Sequence, residues 1–164
     1  MREVTVAITL LLATTAGYSQ QPKTTSYNCV DESAGGLAYD YVTKRWRGTS
    51  FRVDGRSKFV LRVTYIGRHK DEALNNTDVD EYNVAISGPG RDTAKQCWNN
   101  ESNYRVKMFP TEDSFKCTVG LTDYVFGMKT SRFLRIYTRG YVDGNDNVDD
   151  APSIAGGTCT KIGE

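Results

Sequence analysis

Polar and apolar residues alternate most regularly in residues 124–142, YVFGMKTSRFLRIYTRGYV. A short apolar run at 124–126 is followed by a polar break at 129–131, and a longer run starts at Arg132. In the longer run, one face carries Phe133, Arg135, Tyr137, Arg139 and Tyr141, and the other carries Leu134, Ile136 and Thr138. A period of two residues is that of a β-strand and not of a helix. The stretch therefore predicts two strands joined by a turn.

Similar runs, rich in aromatic and β-branched residues, recur along the chain and are separated by turn residues. They predict further strands at 24–30, 37–39, 49–53, 58–66, 82–86, 104–109, 115–119 and 158–162. Residues 67–81 are polar without a clear period, and we expect a long exposed loop there with one helical turn around 72–74. Short strands at such spacing predict an all-β domain of about eight strands. We expect a single antiparallel β-barrel with a calycin-like or lipocalin-like meander, and a β-sandwich is the alternative.

The N-terminus has the pattern of a secretory signal peptide. Residues 4–12 form an apolar core that is too short to cross a bilayer, which takes about 20 residues. A cut after Ser19 would place Gly17 and Ser19 at the two small positions that a signal peptidase favours. The sequence thus predicts a signal peptide at 1–19 and a single domain at 20–164. No later apolar run reaches the length of a membrane span.

The four cysteines predict two disulfides, because an even number in an exported chain is typical of a disulfide framework. Three connectivities are possible, and we favour Cys29–Cys159 with Cys97–Cys117. The first bond would tie together the two ends of the exported chain. Metal binding is not indicated, because no two cysteines are close in sequence and His69 is the single histidine. We expect no cofactor.

Composition disfavours several classes of function. The chain has 21 Lys and Arg against 20 Asp and Glu, whereas a general binder of nucleic acid or of anionic membranes shows a basic excess. His69 lies in a charged segment and no GxSxG motif is present, so no nucleophile–base pair is visible. We therefore expect a protein that is not an enzyme. A glycosidase-like pair of carboxylates has no sequence signature, however, so the sequence does not exclude one.

The acidic segment 143–150, DGNDNVDD, resembles a calcium loop in composition. Its glycine is at the second position rather than the sixth, and the distant glutamate of an EF-hand is missing. Asp-Gly after a strand is also typical of a hairpin turn. We favour a solvated acidic turn and keep calcium binding as the alternative.

Six residues are candidates for ligand binding: Arg135, Tyr137, Arg139, Tyr141, Trp46 and Trp98. If the face of Arg135 and Tyr137 pointed inward, it would line a pocket for an anionic or aromatic ligand. We expect it to point outward, because Leu134 and Ile136 are the better core residues. Trp46 and Trp98 lie in polar turns, where a tryptophan can close a barrel end or anchor a partner.

Several short motifs resemble those of a family of small exported proteobacterial proteins without an assigned function. The motifs are CVD at 29–31, AGG at 34–36, KRW at 44–46, Phe51, KTSRF at 129–133, and DAPSI at 150–154 followed by GTC at 157–159. The resemblance covers most of the chain after the signal peptide. It implies a periplasmic or secreted location and a disulfide between the two ends, and it implies no activity.

These observations predict a monomeric, periplasmic or secreted β-barrel that acts by binding. Our first hypothesis is a small-molecule or lipid-like ligand held in a hollow, calycin-like interior. The alternative is a protein-binding module, such as an inhibitor of an extracytoplasmic hydrolase, with the segment 67–81 as its contact. A hydrolase is the third hypothesis.

Overall fold

The computed structural model describes residues 22–54, 57–88, 93–99 and 104–163. Within these ranges, the secondary structure is ten β-strands and one short 3-10 helix, Glu72–Leu74. The strands are β1 Thr24–Asp40, β2 Arg45–Phe51, β3 Lys58–Asp71, β4 Thr77–Ser87, β5 Lys95–Gln96, β6 Val106–Met108, β7 Ser114–Val119, β8 Thr122–Gly127, β9 Arg132–Tyr137 and β10 Ser153–Ile162. The all-β prediction is confirmed, and no helix in these ranges is long and apolar enough to cross a membrane.

All strands belong to one antiparallel sheet in the order β5-β4-β3-β1-β10-β9-β8-β7. The remaining strands pair at the side, β2 with β1 and β6 with β4. The first and last strands are thus neighbours in the middle of the sheet, and Cys29 is directly opposite Cys159. Two short meanders, β3-β4-β5 and β7-β8-β9-β10, meet on the long strand β1. The predicted single up-and-down meander is therefore replaced by two.

The predicted closed barrel is not found in the described ranges, where the sheet stays open between β5 and β7. One isolated bridge crosses the opening: Trp98 N donates to Thr118 O at 3.0 Å, and Thr118 N donates to Trp98 O at 2.8 Å. The Cys97–Cys117 disulfide lies beside this bridge. The physical reason is the length of the strands at this side, because β5 has two residues and β6 has three. Strands this short cannot supply a continuous ladder.

Aromatic rings fill the space that the curved sheet encloses. The ring centroids of Phe59 and Phe133 are 4.9 Å apart, and those of Tyr27 and Phe126 are 5.1 Å apart. Phe115 follows at 5.7 Å from Phe126. Strands from both sides of the opening contribute to the same core, including Val84 of β4 and Cys117 of β7. Among the described residues, the interior is packed with side chains, and these residues enclose no hollow, calycin-like space.

The expected orientation of β9 is wrong. Phe133 is 4% exposed and lies in the core, whereas Leu134 is 43% exposed. The register explains the reversal, because Phe133 is opposite Phe126, which is itself buried, and must share its face. The face that carries Phe133 and Arg135 therefore points inward.

Residues 67–81 are not a loop, although the helical turn at 72–74 is confirmed. They form the outer half of the long β3–β4 hairpin, and we call residues 67–81 the arm. Charged pairs hold it: both Arg68–Asp80 contacts are 2.8 Å, and Lys107 Nζ is 2.7 Å from Asp71 Oδ2. Arg105 donates to Glu81 at 2.7 Å. A buried strand face is usually recognised by apolar residues at every second position. In the arm, charged residues occupy such positions, so the sequence shows no alternation of apolar and polar residues there.

Both predicted disulfides are confirmed, Cys29–Cys159 and Cys97–Cys117. All four cysteines are buried. Stable disulfides point to an oxidising environment outside the cytoplasm. The predicted signal peptide at 1–19 lies outside the described residues.

Candidate ligand-binding site

A buried ion pair between Asp31 and Arg135 is the centre of the candidate site. Asp31 belongs to β1, where the register with β10 shifts between Asp31 and Ser33. Arg135 belongs to β9, on the other side of β10. Arg135 Nε donates to Asp31 Oδ1 at 3.1 Å, and Arg135 Nη2 donates to Asp31 Oδ2. Only the Asp31 carboxylate is fully buried, so part of the guanidinium stays accessible.

Arg135 lines a cavity of about 310 Å³, which we call the basic cavity. Lys58 of β3 and Lys95 of β5 also line it. Phe59, Ile86, Val119 and Tyr124 supply its apolar surface. Its described lining residues include no carboxylate, and neither lysine has an ion-pair partner among the described residues. The cavity therefore combines three cations with a partly aromatic wall.

Tyr124 adds a hydroxyl group to this wall. Burial raises the pKa of Tyr124, and the neighbouring Arg135 guanidinium opposes this effect. The phenol therefore stays protonated across the ordinary range of pH and can donate a hydrogen bond. Its ring packs against Phe59 with centroids 5.5 Å apart, which fixes its direction.

A second cavity of about 230 Å³ also borders Arg135. It shares Ser57 and Arg135 with the basic cavity, and Asp31 and Asp149 contribute carboxylates to its lining. The two cavities thus differ in charge, since only the second has acidic lining residues. Among the described lining residues, the basic cavity has the more positive set of charges.

Four of the predicted ligand-binding residues lie away from the basic cavity, around the segment 138–152. Trp46 donates its indole N–H to Asp146 at 2.8 Å, and its ring is 5.8 Å from that of Tyr141. Tyr137 donates to Asp150 at 3.0 Å, and Arg139 donates to Asp143 at 3.1 Å. Arg135 is the one predicted residue that lines the basic cavity.

Trp98 lies at the opening of the sheet, in the bridge to Thr118, and does not line the basic cavity. His69 is exposed on β3, opposite Val79 of the arm. In the acidic segment, Asp143, Asp146 and Asp150 accept hydrogen bonds from three different residues of the protein. Among the described residues, no group of three or more histidine, cysteine, aspartate or glutamate side chains is placed to hold a metal ion.

Sequence reasoning missed Lys58, Lys95 and Tyr124 as members of one site. Lys58 begins a predicted strand and Tyr124 lies in another, but nothing local in the sequence indicates that β3, β5 and β8 face one cavity. No family model, curated protein or solved structure matches this chain at a significant level. The geometry of the site is therefore the basis for a functional proposal.

Proposed function

We propose that this protein binds a small anionic molecule with an apolar or aromatic body in the basic cavity. The observation that carries the proposal is the convergence of Lys58, Lys95 and Arg135 on a cavity whose described lining has no carboxylate. The anionic group pairs with the cations, and the body of the ligand packs against Phe59 and Tyr124. A volume of about 310 Å³ is at the lower end of the range for small-molecule sites.

The packed interior supports a compact ligand rather than a long acyl chain. Phe59, Phe126 and Phe133 occupy the space that a calycin-like protein leaves for a lipid. The ligand is therefore an organic acid of the size of one aromatic ring with a short side chain. This proposal is narrower than the small-molecule or lipid-like ligand expected from the sequence.

We further propose that the protein works as a monomer in the periplasm or outside the cell, and that it binds its ligand without turning it over. The two disulfides support the location. The cations of the cavity suit the holding of an anion, since each lysine brings a mobile charge. Asp31 already accepts from Nε and Nη2 of Arg135, so the guanidinium contributes its charge and its remaining Nη1 group.

The test is a calorimetric titration with phenylacetate and with its neutral isostere phenylacetamide. We expect the acid to bind and the amide to bind at least tenfold more weakly, because a hydrogen bond to a charged group contributes about 1.5–3 kcal/mol. Replacing Lys95 with methionine, which removes the charge and keeps an unbranched side chain one atom shorter, should weaken the binding of phenylacetate by about tenfold.

The matched control is Lys70→Met, which removes the same charge from the exposed surface of the arm, at the far end of β3 from Lys58. It should leave the affinity unchanged. Equal affinity for the acid and the amide would contradict the proposal, as would equal effects of the two lysine substitutions.

A protein-binding function is the second candidate, and the arm is the observation that favours it. The pairing of β1 with β3 ends at Thr24 and Thr64, whereas β3 and β4 continue together to Asp71 and Thr77. The arm therefore extends past β1, and its ion pairs keep it rigid. Charge reversal by Lys70→Glu should abolish capture of an extracytoplasmic partner while the melting temperature stays the same. If capture persists, the arm is not the contact.

A further inference from the structure

The two ends of the sheet differ in the chemistry of their turns. At one end lie the β1–β2 turn, the β7–β8 turn and the β9–β10 segment, because Tyr137 is opposite both Thr122 and Ser153, and Ser153 is opposite Gly36. We call this the apolar end, since its turns expose Tyr41, Val42, Leu121, Tyr141 and Val142. The turns at the other end carry Asn75 and Asn76 after β3 and Lys129-Thr130-Ser131 after β8.

Two Tyr-Val pairs, 100 residues apart in the chain, contain the two most exposed apolar side chains of this end, Val42 and Val142. Val42 is 93% exposed and Val142 is 78% exposed, so both side chains project almost entirely into solvent. Such exposure at the tip of a turn gives a convex surface. Contiguous exposed apolar groups mark a protein or membrane contact.

Aromatic rings connect the two Tyr-Val pairs. The centroids of Tyr39 and Tyr41 are 5.3 Å apart, and Trp46 is 5.5 Å from Tyr39 and 5.8 Å from Tyr141. Tyr39 and Trp46 are a cross-strand pair of the β1–β2 hairpin. Asp146 holds the indole N–H, so the two turns are joined by a packed and hydrogen-bonded cluster.

The charges around the apolar end largely cancel. Arg47 pairs with Asp40, and Arg139 pairs with Asp143. Asp146 accepts from the Trp46 indole. Lys44 is exposed in the turn that carries Val42, and Arg45 is exposed at the start of β2. A strong attraction to an anionic surface is therefore not expected. The insertion of apolar side chains does not require such an attraction.

From these observations, we propose that the apolar end docks on the surface of a phospholipid membrane. Val42 and Val142 enter the acyl region, and the tyrosine and tryptophan rings lie at the level of the headgroups, where amphipathic rings are favoured. A soft lipid surface accepts a convex tip, whereas a protein partner would need a matching concave pocket. Lys44 and Arg45 are placed to meet lipid phosphates. The docking is peripheral and does not depend on the proposed ligand.

The test uses the emission of Trp46 in a Trp98→Phe background, which leaves Trp46 as the single tryptophan of the chain. Vesicles of phosphatidylcholine, with and without phosphatidylglycerol, are titrated into the full-length protein. We expect a blue shift of the emission and co-sedimentation with both kinds of vesicle. Val42→Asp/Val142→Asp should weaken vesicle binding by about tenfold or more, since the burial of each valine is lost.

The matched control is Leu74→Asp/Ile162→Asp, which adds the same two charges at exposed aliphatic positions of the opposite end. This control should bind vesicles as the parent does. Because every variant keeps the same apolar N-terminal segment, a difference between variants reports on the substituted residues. Three results would overturn the proposal: no shift of the Trp46 emission, binding to phosphatidylglycerol vesicles alone, or equal loss in both double variants. Self-association through Val42 and Val142 without vesicle binding would overturn it as well. The valine variants should still bind phenylacetate, which separates the two proposals.

Discussion

The Asp31–Arg135 pair is the most consequential contact at the scale of single residues. The carboxylate has lost its water and depends on the guanidinium and on its neighbours for compensation. Leaving one buried charge without its partner costs more than the pair contributes in total. The pair therefore holds β1 and β9 in position and also orients Arg135 toward the basic cavity.

Replacing Arg135 with methionine should lower the free energy of unfolding by about 3 kcal/mol, because the buried Asp31 then lacks its counter-charge. The double variant Asp31→Asn/Arg135→Met should recover a large part of this loss. Denaturation in urea at neutral pH measures both values. An additive loss in the double variant would show that the pair does not act as a unit.

The ionisation of Asp80 makes the stability of the arm depend on pH. The hydrogen bond from Arg68 lowers the pKa of Asp80 below its usual 3.8, although burial opposes this. A lowered folded-state pKa means that the stabilisation is complete above the ordinary pKa and is lost as the pH falls through the folded-state value. Asp80→Asn should thus be less stable than the parent at neutral pH, with the difference shrinking below pH about 4. Urea midpoints over a pH series test this, and a constant difference would contradict it.

At the scale of elements, the close approach of β1 and β10 organises the sheet. A Cβ atom added at Gly157 would lie 2.0 Å from the Val30 carbonyl oxygen, which is backbone and cannot turn away. Gly157 is opposite Asp31, where the register between β1 and β10 shifts. Here a glycine is required by space and not by its backbone torsion.

Gly157→Ala should therefore destabilise the protein by about 3 kcal/mol, the upper end for overpacking in a core. Gly48→Ala on β2 is the matched control, since a Cβ atom there has no neighbour within 4 Å. The melting temperature should fall for the first and stay nearly the same for the second. Similar melting temperatures would mean that β1 and β10 can move apart without cost.

At the scale of the whole molecule, the two disulfides have different tasks. Cys29–Cys159 spans 130 residues and joins strands that are already paired, whereas Cys97–Cys117 spans 20 residues and crosses the opening of the sheet. Lys95 and Val119 lie two residues from the second bond and line the basic cavity. The first bond thus mainly constrains the unfolded chain, and the second also shapes the site.

Loop-closure entropy predicts a loss of about 5 kcal/mol for Cys29→Ala/Cys159→Ala and about 3 kcal/mol for Cys97→Ala/Cys117→Ala. The affinity for phenylacetate should follow the opposite order, with the larger decrease in the second variant. Denaturation in urea and calorimetry on the same samples compare the two. If both variants bind phenylacetate equally well, the crossing disulfide does not shape the cavity.

Local pattern determined the class of this protein. A period of two residues is typical of a strand, and four cysteines in a chain with an exported pattern favour two disulfides, so these features could be predicted. The period alone did not give the end of β9, which stops at Tyr137 although the alternation continues to Tyr141. The period does not say which face is buried, and for that reason Phe133 and Leu134 were assigned the wrong way round. Nor does it identify the last part of β3, residues 67–71, in which charged pairs replace apolar residues.

Contacts between distant strands decided the remainder. In the described part of the chain, the sheet is open because β5 and β6 are too short to complete it, and the two meanders meet because β1 pairs with β10. Lys58, Lys95 and Arg135 come from β3, β5 and β9, and only the order of the strands brings them to one cavity. Periodicity is a property of neighbouring residues, whereas a binding site depends on pairings across the whole chain, which is why sequence alone predicted the fold class and tertiary structure determined the site.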